Sequence, residues 1–513
     1  MYVRGEVAEA TRTIGVGHIV RFALVLALKA CAWALVITVP LLGVWAGSSL
    51  AVYADGPIWA AIVAGLCAFP VLPLAWEGFA AIRARRKEKP GPRFLTFADR
   101  LIVRTFVLNF VFLAGFLALL PVPIFEALAT RGDWMLEGRE DPTSTSIRAA
   151  LLGAADRMVW LYEAAQEDNP YEKETDTGLP TPAPTPELAP APEPVAPPPS
   201  EAAPPHEDAH RRAARLRAGG PPRWPLPSEL HPLVRELPPE HEGSIEAVAR
   251  YVAEREPDPY LRVKALHDYV ADRIAYDGPV LSRPFSEWPP QDAETVFRTR
   301  LGVCEGYSRL MVALGEVTGD RIVYVVGNSR DEEDAVSGIG HAWNAVEIEG
   351  RWYLIDATWD AGALKGSRFE RQYKSDYFLT PPAMFSVDHL PEDPAWQLRP
   401  DPISRGEFVR QPRLTPGFFR AGWRLITPDR SHVSAEGSFV ARIANPLGHF
   451  ALANIRPHRS NGEGRRCAVS GTSTLEVRCA LPADGVWDVV IFESSERYAT
   501  YWSVLSFQVA GGP

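Results

Sequence analysis

The sequence predicts an α+β chain in three parts: three membrane-spanning helices, a core in which helices lead into a sheet, and an antiparallel β-sandwich. Three observations carry that prediction. Uncharged runs of membrane length crowd the first quarter, helical periodicity from Ser244 to Ile274 gives way to alternating strands after His341, and short alternating strands fill the chain beyond Ser404. At 513 residues the chain exceeds the size at which a single core stops growing. We therefore expect a membrane domain at 1–128, a juxtamembrane helix at 144–168, a Pro-rich linker at 178–225, an α+β domain at 230–400 and a β-sandwich at 404–513. With 53 basic and 63 acidic residues the chain offers no electrostatic footprint for nucleic acid.

Ala30 to Tyr53, Pro57 to Trp76 and Thr105 to Phe125 carry no charge, and each is long enough to cross a hydrocarbon core of about 30 Å. Arg4, Arg12, Arg21 and Lys29 precede the first, and Arg83, Arg85, Arg86, Lys87, Lys89, Arg93, Arg100 and Arg104 cluster between the second and third. Excess Lys and Arg marks cytoplasmic loops, so three spans send the rest of the chain to the extracytoplasmic side, periplasmic if bacterial. A re-entrant second segment would reverse that outcome.

Ser144 to Glu167 carries Ile147, Leu151, Ala154, Met158, Leu161 and Tyr162 at helical spacing, behind hydroxyl residues able to cap it. One stripe does not decide whether this helix lies on the bilayer or pairs with a second copy. From Pro180 to Pro205 twelve of twenty-six residues are proline, a composition that favours an extended spacer of about 3 Å per residue. A plain stalk and a PxxP docking segment both fit it.

In the α+β part, Ser244 to Glu254, Tyr260 to Ile274 and Asp292 to Arg300 read as helices, with His267 on the exposed side of the second. Gly302 then admits the chain to a helix opening at Cys304, with Tyr307, Leu310, Met311, Leu314 and Val317 on its apolar face. A thiol at a helix N-terminus meets unpaired N–H groups and the positive end of the dipole, which favour thiolate. The competing reading is a small buried hydrophobe.

His341 to Ile348 alternates as a strand, Glu349-Gly350 signals a tight turn, and Arg351 to Thr358 alternates back. A two-residue turn sets Trp343 opposite Asp356 and His341 opposite Thr358. His341 and Asp356 are then diagonal neighbours on one face, within reach of each other. A one-residue change in the loop would separate them. Cys304, His341 and Asp356 are thus candidates for a nucleophile, a base and an orienting acid, with the Cys304 backbone N–H as an oxyanion donor and Trp343 and Trp359 as walls. The same three residues could bind zinc, but no CxxC, HxxxH or second histidine accompanies them in sequence, so no metal or other cofactor is expected.

GVCEGYSRL, GHAWNAVEIEGRWYLIDATW and the Cys, His, Asp order resemble the transglutaminase-like superfamily, and DYFLTPPAMFSVDHLPEDPAWQL with a β-rich tail is similar to its kyphoscoliosis peptidase-type branch. The resemblance covers Ser244 to the C-terminus and implies a papain-like core with Cys304 as nucleophile, His341 as base and Asp356 as orienting acid. Ser308 and Asp360 stand where relatives often carry alanine and glycine, and Asp360 is expected to add a charge near the cleft.

Strands are expected at Ser438–Ile443, Phe450–Ile455, Thr474–Cys479, Val486–Phe492 and Tyr501–Val509, separated by turn residues. Cys467 and Cys479 face each other if their hairpin turns near Ser473, which leaves Cys304 as the unpaired thiol outside the membrane. The function class that follows is a membrane-anchored cysteine enzyme working through a thioester on a protein or peptide substrate, with cell-envelope proteins as candidate partners. A catalytically silent module binding protein or cell wall is the alternative.

Overall fold

The structure is a computed structural model and describes residues 16–54, 58–85, 95–136, 139, 141–163, 222–330, 340–460, 462 and 464–512. Two compact units divide the chain, Met1–Leu161 and Tyr162–Pro513. The proline-rich stretch lies outside the described residues.

The first unit is helical. Three helices are long and apolar enough to cross a membrane, over Trp33–Tyr53, Trp59–Arg83 and Phe97–Leu119. Their large apolar side chains point outward: Leu41 is 64% exposed, Trp59 67% and Val111 63%, the surface a lipid solvent would cover. The second is built of Ile58–Leu66 and Leu72–Arg85 joined by a wider turn at Cys67–Val71. The third expected span needs correction at both ends. Thr96 caps it in a reciprocal box with Asp99, so the helix starts eight residues before Thr105. It stops at Leu119 because Pro121 opens a new helix, Pro121–Arg131, instead of continuing the old one. Glu77 of the second helix pairs with Arg100 of the third at 2.8 Å and also with Arg104. The expected juxtamembrane helix is two pieces, Pro142–Asp156 capped by Asp141, then a single turn at Trp160–Glu163.

In the second unit, Ile245–Arg255 is capped by Ser244, Pro259–Arg273 by Asp258 and Ala293–Thr299 by Asp292. They lead to the central helix, Cys304–Thr318. Tyr307, Leu310, Met311 and Leu314 of that helix share a buried cluster with Val346, Ile348 and Ile355 of the sheet beneath. The sheet has four antiparallel strands in the order Arg351–Ile355, His341–Ile348, Arg321–Ser329, His389–Pro391. Its first two strands form the expected hairpin, with Ile348 opposite Arg351 and Asn344 opposite Ile355. Glu349 and Gly350 both take positive φ, 52° and 75°, the backbone of the two-residue turn that matches strand twist.

Beyond Ser404 two sheets share one buried core that includes Phe439, Val477, Val489 and Phe507. One holds Arg424–Thr427, Ser438–Ala444, Thr474–Ala480 and Ala468–Ser470; the other centres on Phe450–Pro457, Gly485–Ser494 and Trp502–Gly512. The pairing is antiparallel except that His432–Glu436 joins Trp502–Gly512 in parallel, a departure from the expected all-antiparallel sandwich. Ala468 faces Arg478 and Ser470 faces Glu476, so the register carries Cys467 onto Cys479. The two form a disulfide with Cα atoms 4.5 Å apart.

Candidate active site

The site is built where the helix opened by Cys304 meets the His341 strand. Val303 precedes the helix without a side-chain cap, and its N–H donates at 2.9 Å to the Oε1 of Gln291, a buried side chain. Cys304 is therefore the first helical residue, buried at 1% exposure. Gly306 lets the helix enter here: a Cβ would lie 2.6 Å from Val296 Cγ2 and 2.8 Å from Gln291 Oε1. Asn344 ties helix to sheet, donating to the backbone oxygens of Ser308 at 3.0 Å and Val323 at 3.1 Å.

His341 begins its strand and is buried. Its Nε2 lies 2.7 Å from Asp356 Oδ2. The ring also engages the Cys304 thiol; with Nε2 committed to the carboxylate, Nδ1 is the nitrogen left for it. Burial alone would lower the imidazole, but the Asp356 charge and hydrogen bond, reinforced by Cys304, push it up to about 10. Asp356 is buried too, and burial opposes its ionisation. The His341 charge and hydrogen bonds from both His341 and His389 hold it well below the usual carboxylate range.

Asp356 is not a strand residue as expected. The strand ends at Ile355, and Asp356 caps the short helix Ala357–Ala361, its Oδ1 accepting from the N–H groups of Thr358 at 2.8 Å and Trp359 at 3.2 Å. The diagonal contact with His341 survives because the cap begins where pairing stops. Thr358 leaves the strand and does not face His341. Trp343 and Trp359 flank the imidazole, with ring centroids 5.8 and 5.7 Å away. The Cys304 N–H, expected to face an oxyanion, meets the Tyr276 phenol, whose ionisation burial and the Cys304 charge push well up.

The sequence reading missed His389. Its Nε2 lies 3.1 Å from Asp356 Oδ2, the oxygen that also serves His341, and its Nδ1 lies 2.7 Å from Asp388 Oδ1. It sits on a three-residue strand paired with Arg321–Ser329, Ser329 opposite His389, so no periodicity announces it. His341, Asp356 and His389 each offer a ligand atom within 4.8 Å of the others. Both imidazoles already spend Nε2 on the carboxylate at hydrogen-bond length, and a cation on His341 Nε2 would leave that ring's proton on Nδ1. The thiol would then have no acceptor, so the arrangement suits a hydrogen-bonded chain better than a ligand set.

Two expectations about charge change. His267 is fully buried, its Nδ1 3.2 Å from Asp268 and its Nε2 3.2 Å from Asp360. Asp360 does not charge the cleft; it faces His267 and accepts the Tyr377 N–H at 3.1 Å. Lys264, 2.6 Å from Asp268, completes the cluster. The polar side of the Pro259–Arg273 helix is thus an internal network of ion pairs, which periodicity reads as an exposed face.

The family model of the transglutaminase-like superfamily matches residues 246–357, the span that holds Cys304, His341 and Asp356. Kyphoscoliosis peptidase from Mus musculus is 33% identical over 180 residues, covering 34% of this chain and 27% of the relative. The Homo sapiens kyphoscoliosis peptidase is 32% identical over the same length and shares. Hillarin from Drosophila melanogaster is 32% identical over 121 residues, 21% of this chain and 15% of the relative. The match spans about a quarter of the length of the kyphoscoliosis peptidases. A helical and β-sheet core and a family match over its central segment agree: this chain carries a domain that matches the transglutaminase-like superfamily, and over 180 residues it is similar to kyphoscoliosis peptidases.

Proposed function

We propose that the chain is a membrane-anchored, extracytoplasmic transglutaminase-like cysteine enzyme that acts on protein or peptide amides through a thioester. The observation that carries this reading is the buried chain of thiol, imidazole and carboxylate at Cys304, His341 and Asp356. Cys304 passes its proton to His341 and attacks the amide carbonyl carbon. His341 returns that proton to the leaving amine as the C–N bond breaks and a thioester remains. An amine or water then attacks the thioester, giving up its proton to His341, and the thiolate leaves. Asp356 holds Nε2–H and so keeps Nδ1 free for the thiol.

The three apolar helices and the surplus of Lys and Arg between the second and third support an anchor that leaves the site outside the cytoplasm. In this reading 1–128 is the anchor, 178–225 the stalk, 230–400 the catalytic domain and 404–513 a scaffold or docking domain for cell-envelope proteins. The test is amine incorporation into a glutamine-containing protein, and cleavage of peptides, by the full-length protein and by Cys304→Ala. Neither activity in the parent protein, with Cys304→Ala still supporting whatever a deletion strain lacks, would sink the enzyme reading. One observation favours the silent binding module: Cys304 is almost inaccessible, at 1% exposure. An impermeant thiol reagent applied to intact cells tests the topology: labelling of Cys304 places it outside, whereas labelling seen only after the membrane is permeabilised places it in the cytoplasm.

A further inference from the structure

Cys304 is 1% exposed, so a substrate reaches it only past whatever covers the thiol. The thiol belongs to a buried cluster with Val280, Tyr324, Val326 and Ala342, against which Leu281 and Trp288 pack half-buried. Tyr324, Val326 and Ala342 are sheet residues. Val280, Leu281 and Trp288 come from a single connection, Asp277 to Gln291, between the two-residue strand Ala275–Tyr276 and the helix Ala293–Thr299. That connection carries the cluster out to the surface, since every residue from Ser282 to Glu287 is exposed.

The connection has little regular structure but a fixed shape. Pro279, Pro284, Pro289 and Pro290 set four of its φ angles. Two short helical turns, Gly278–Ser282 and Phe285–Glu287, are closed from within: Arg283 N–H donates to Val280 O at 2.9 Å and Trp288 N–H to Phe285 O at 3.1 Å. The Trp288 indole N–H donates to Arg283 O at 3.1 Å, so the ring's one polar atom is used and its faces are left apolar. Phe285 lies against it, ring centroids 5.0 Å apart, and is 47% exposed. Gln291 joins this connection to the Cys304 helix, its Nε2 donating to Pro289 O at 3.1 Å while its Oε1 accepts the Val303 N–H.

A single exposed phenylalanine is ordinary on a protein surface. Here two rings are held by prolines, one packed against the thiol cluster and the other in solvent, which makes a preorganised apolar platform leading to the sulfur. Arg283 and Glu287, the charged residues between Val280 and Pro290, are of opposite sign. Apolar burial rather than net charge therefore decides what docks on this platform.

We propose that Phe285 and Trp288 are recognition residues for the acyl donor: they dock a large apolar side chain of the substrate peptide beside the amide that Cys304 attacks. The inference rests on the enzyme reading of Cys304 and narrows its substrate class to amides with an apolar neighbour. Covering the exposed part of Phe285 and the face of Trp288 should raise the rate at Cys304 by roughly 10-fold.

Full-length protein in detergent is alkylated at pH 6 with two iodoacetamides that differ only in the substituent on the amide nitrogen, a phenylethyl or a hydroxyethyl group. Second-order rates are read at the Cys304 peptide by mass spectrometry. Each is divided by the rate with glutathione in the same detergent, which removes the partition of the apolar reagent. In the parent the corrected phenylethyl-to-hydroxyethyl ratio should be about 10, and Phe285→Ala should bring it to within about twofold of one. Phe285→Tyr keeps a ring and should restore most of the preference. Phe285 is exposed, so its replacement spares the core, and melting curves identify the folded variants. A ratio near one in a parent whose Cys304 outpaces glutathione overturns the inference and leaves the enzyme reading standing, as does a parent preference that folded Phe285→Ala retains. A parent Cys304 no faster than glutathione with either reagent overturns both.

Discussion

Replacing Asp356 by Asn tests the site with almost no change in volume. The amide oxygen can keep the Thr358 and Trp359 N–H groups that Oδ1 now accepts, so the cap of the Ala357–Ala361 helix persists. The amide NH2 then occupies the Oδ2 position, facing two imidazole nitrogens that now donate to it. Two donors cannot bond, so His341 must move its proton to Nδ1 and can no longer accept one from Cys304. The anion that lifts His341 to about 10 is also gone, leaving burial to push the ring down. An ordinary thiol with pKa about 8.5 is only about 0.3% ionised at pH 6, which sets a ceiling of roughly 300-fold on the fall in iodoacetamide reactivity. Lower nucleophilicity of a stabilised thiolate, with a Brønsted coefficient of about 0.4–0.5, trims this to roughly 10- to 100-fold. Under the proposed function, acyl transfer, which needs the base twice, should fall by about 10⁴. The assay is the second-order alkylation rate at the Cys304 peptide at pH 6, beside a melting curve. A folded variant that alkylates within threefold of the parent would falsify the role given to Asp356.

Three further outcomes are expected. His267 is driven up to about 9, the Asp268 and Asp360 carboxylates overcoming its burial. Its folded value lies above the unfolded 6.5, so its stabilisation is complete below pH 6.5 and lost as pH rises to about 9. The gap in melting temperature between the parent and His267→Gln should therefore close across that window, and a gap independent of pH would refute the charge assignment. Gly306→Ala drives a Cβ against Val296 and Gln291 and should cost about 1–3 kcal/mol by denaturant titration. Adding Val296→Ala should recover part of that loss, and strict additivity would refute the clash. Cys467→Ser with Cys479→Ser opens a loop of sequence separation 12 and should lower sandwich stability by about 2–3 kcal/mol, with Cys304 alkylation unchanged.

How much of this was legible in the sequence depended on how local each contact is. The Cys304 helix start, the Glu349-Gly350 hairpin and the Cys467–Cys479 pairing are set by turns and registers a few residues long, and each lies where spacing placed it. His389 was illegible because it reaches Asp356 across 33 positions of chain, through pairing with a strand that precedes the His341 hairpin. His267 misled for the opposite reason. Its helix carries a polar stripe, but Tyr373 and Asp360 cover that stripe, so a pattern that reads as solvent-facing is core. The third span failed at its boundary, where an uncharged run continues through Pro121 although the helix does not.

Asp356 receives four donors: two backbone N–H groups on Oδ1 and two imidazole nitrogens on Oδ2. An ionised carboxylate has about four lone-pair directions to offer, so this one is fully subscribed. It has no vacancy for a substrate hydroxyl, an attacking water or a stray cation, and so has no means of joining the chemistry directly. Its influence is transmitted as constraint: one helix end, one strand end and two rings are pinned to a single group. Asp356 thus resembles a keystone, inert in itself, whose loss would be felt in the aim of every piece that leans on it.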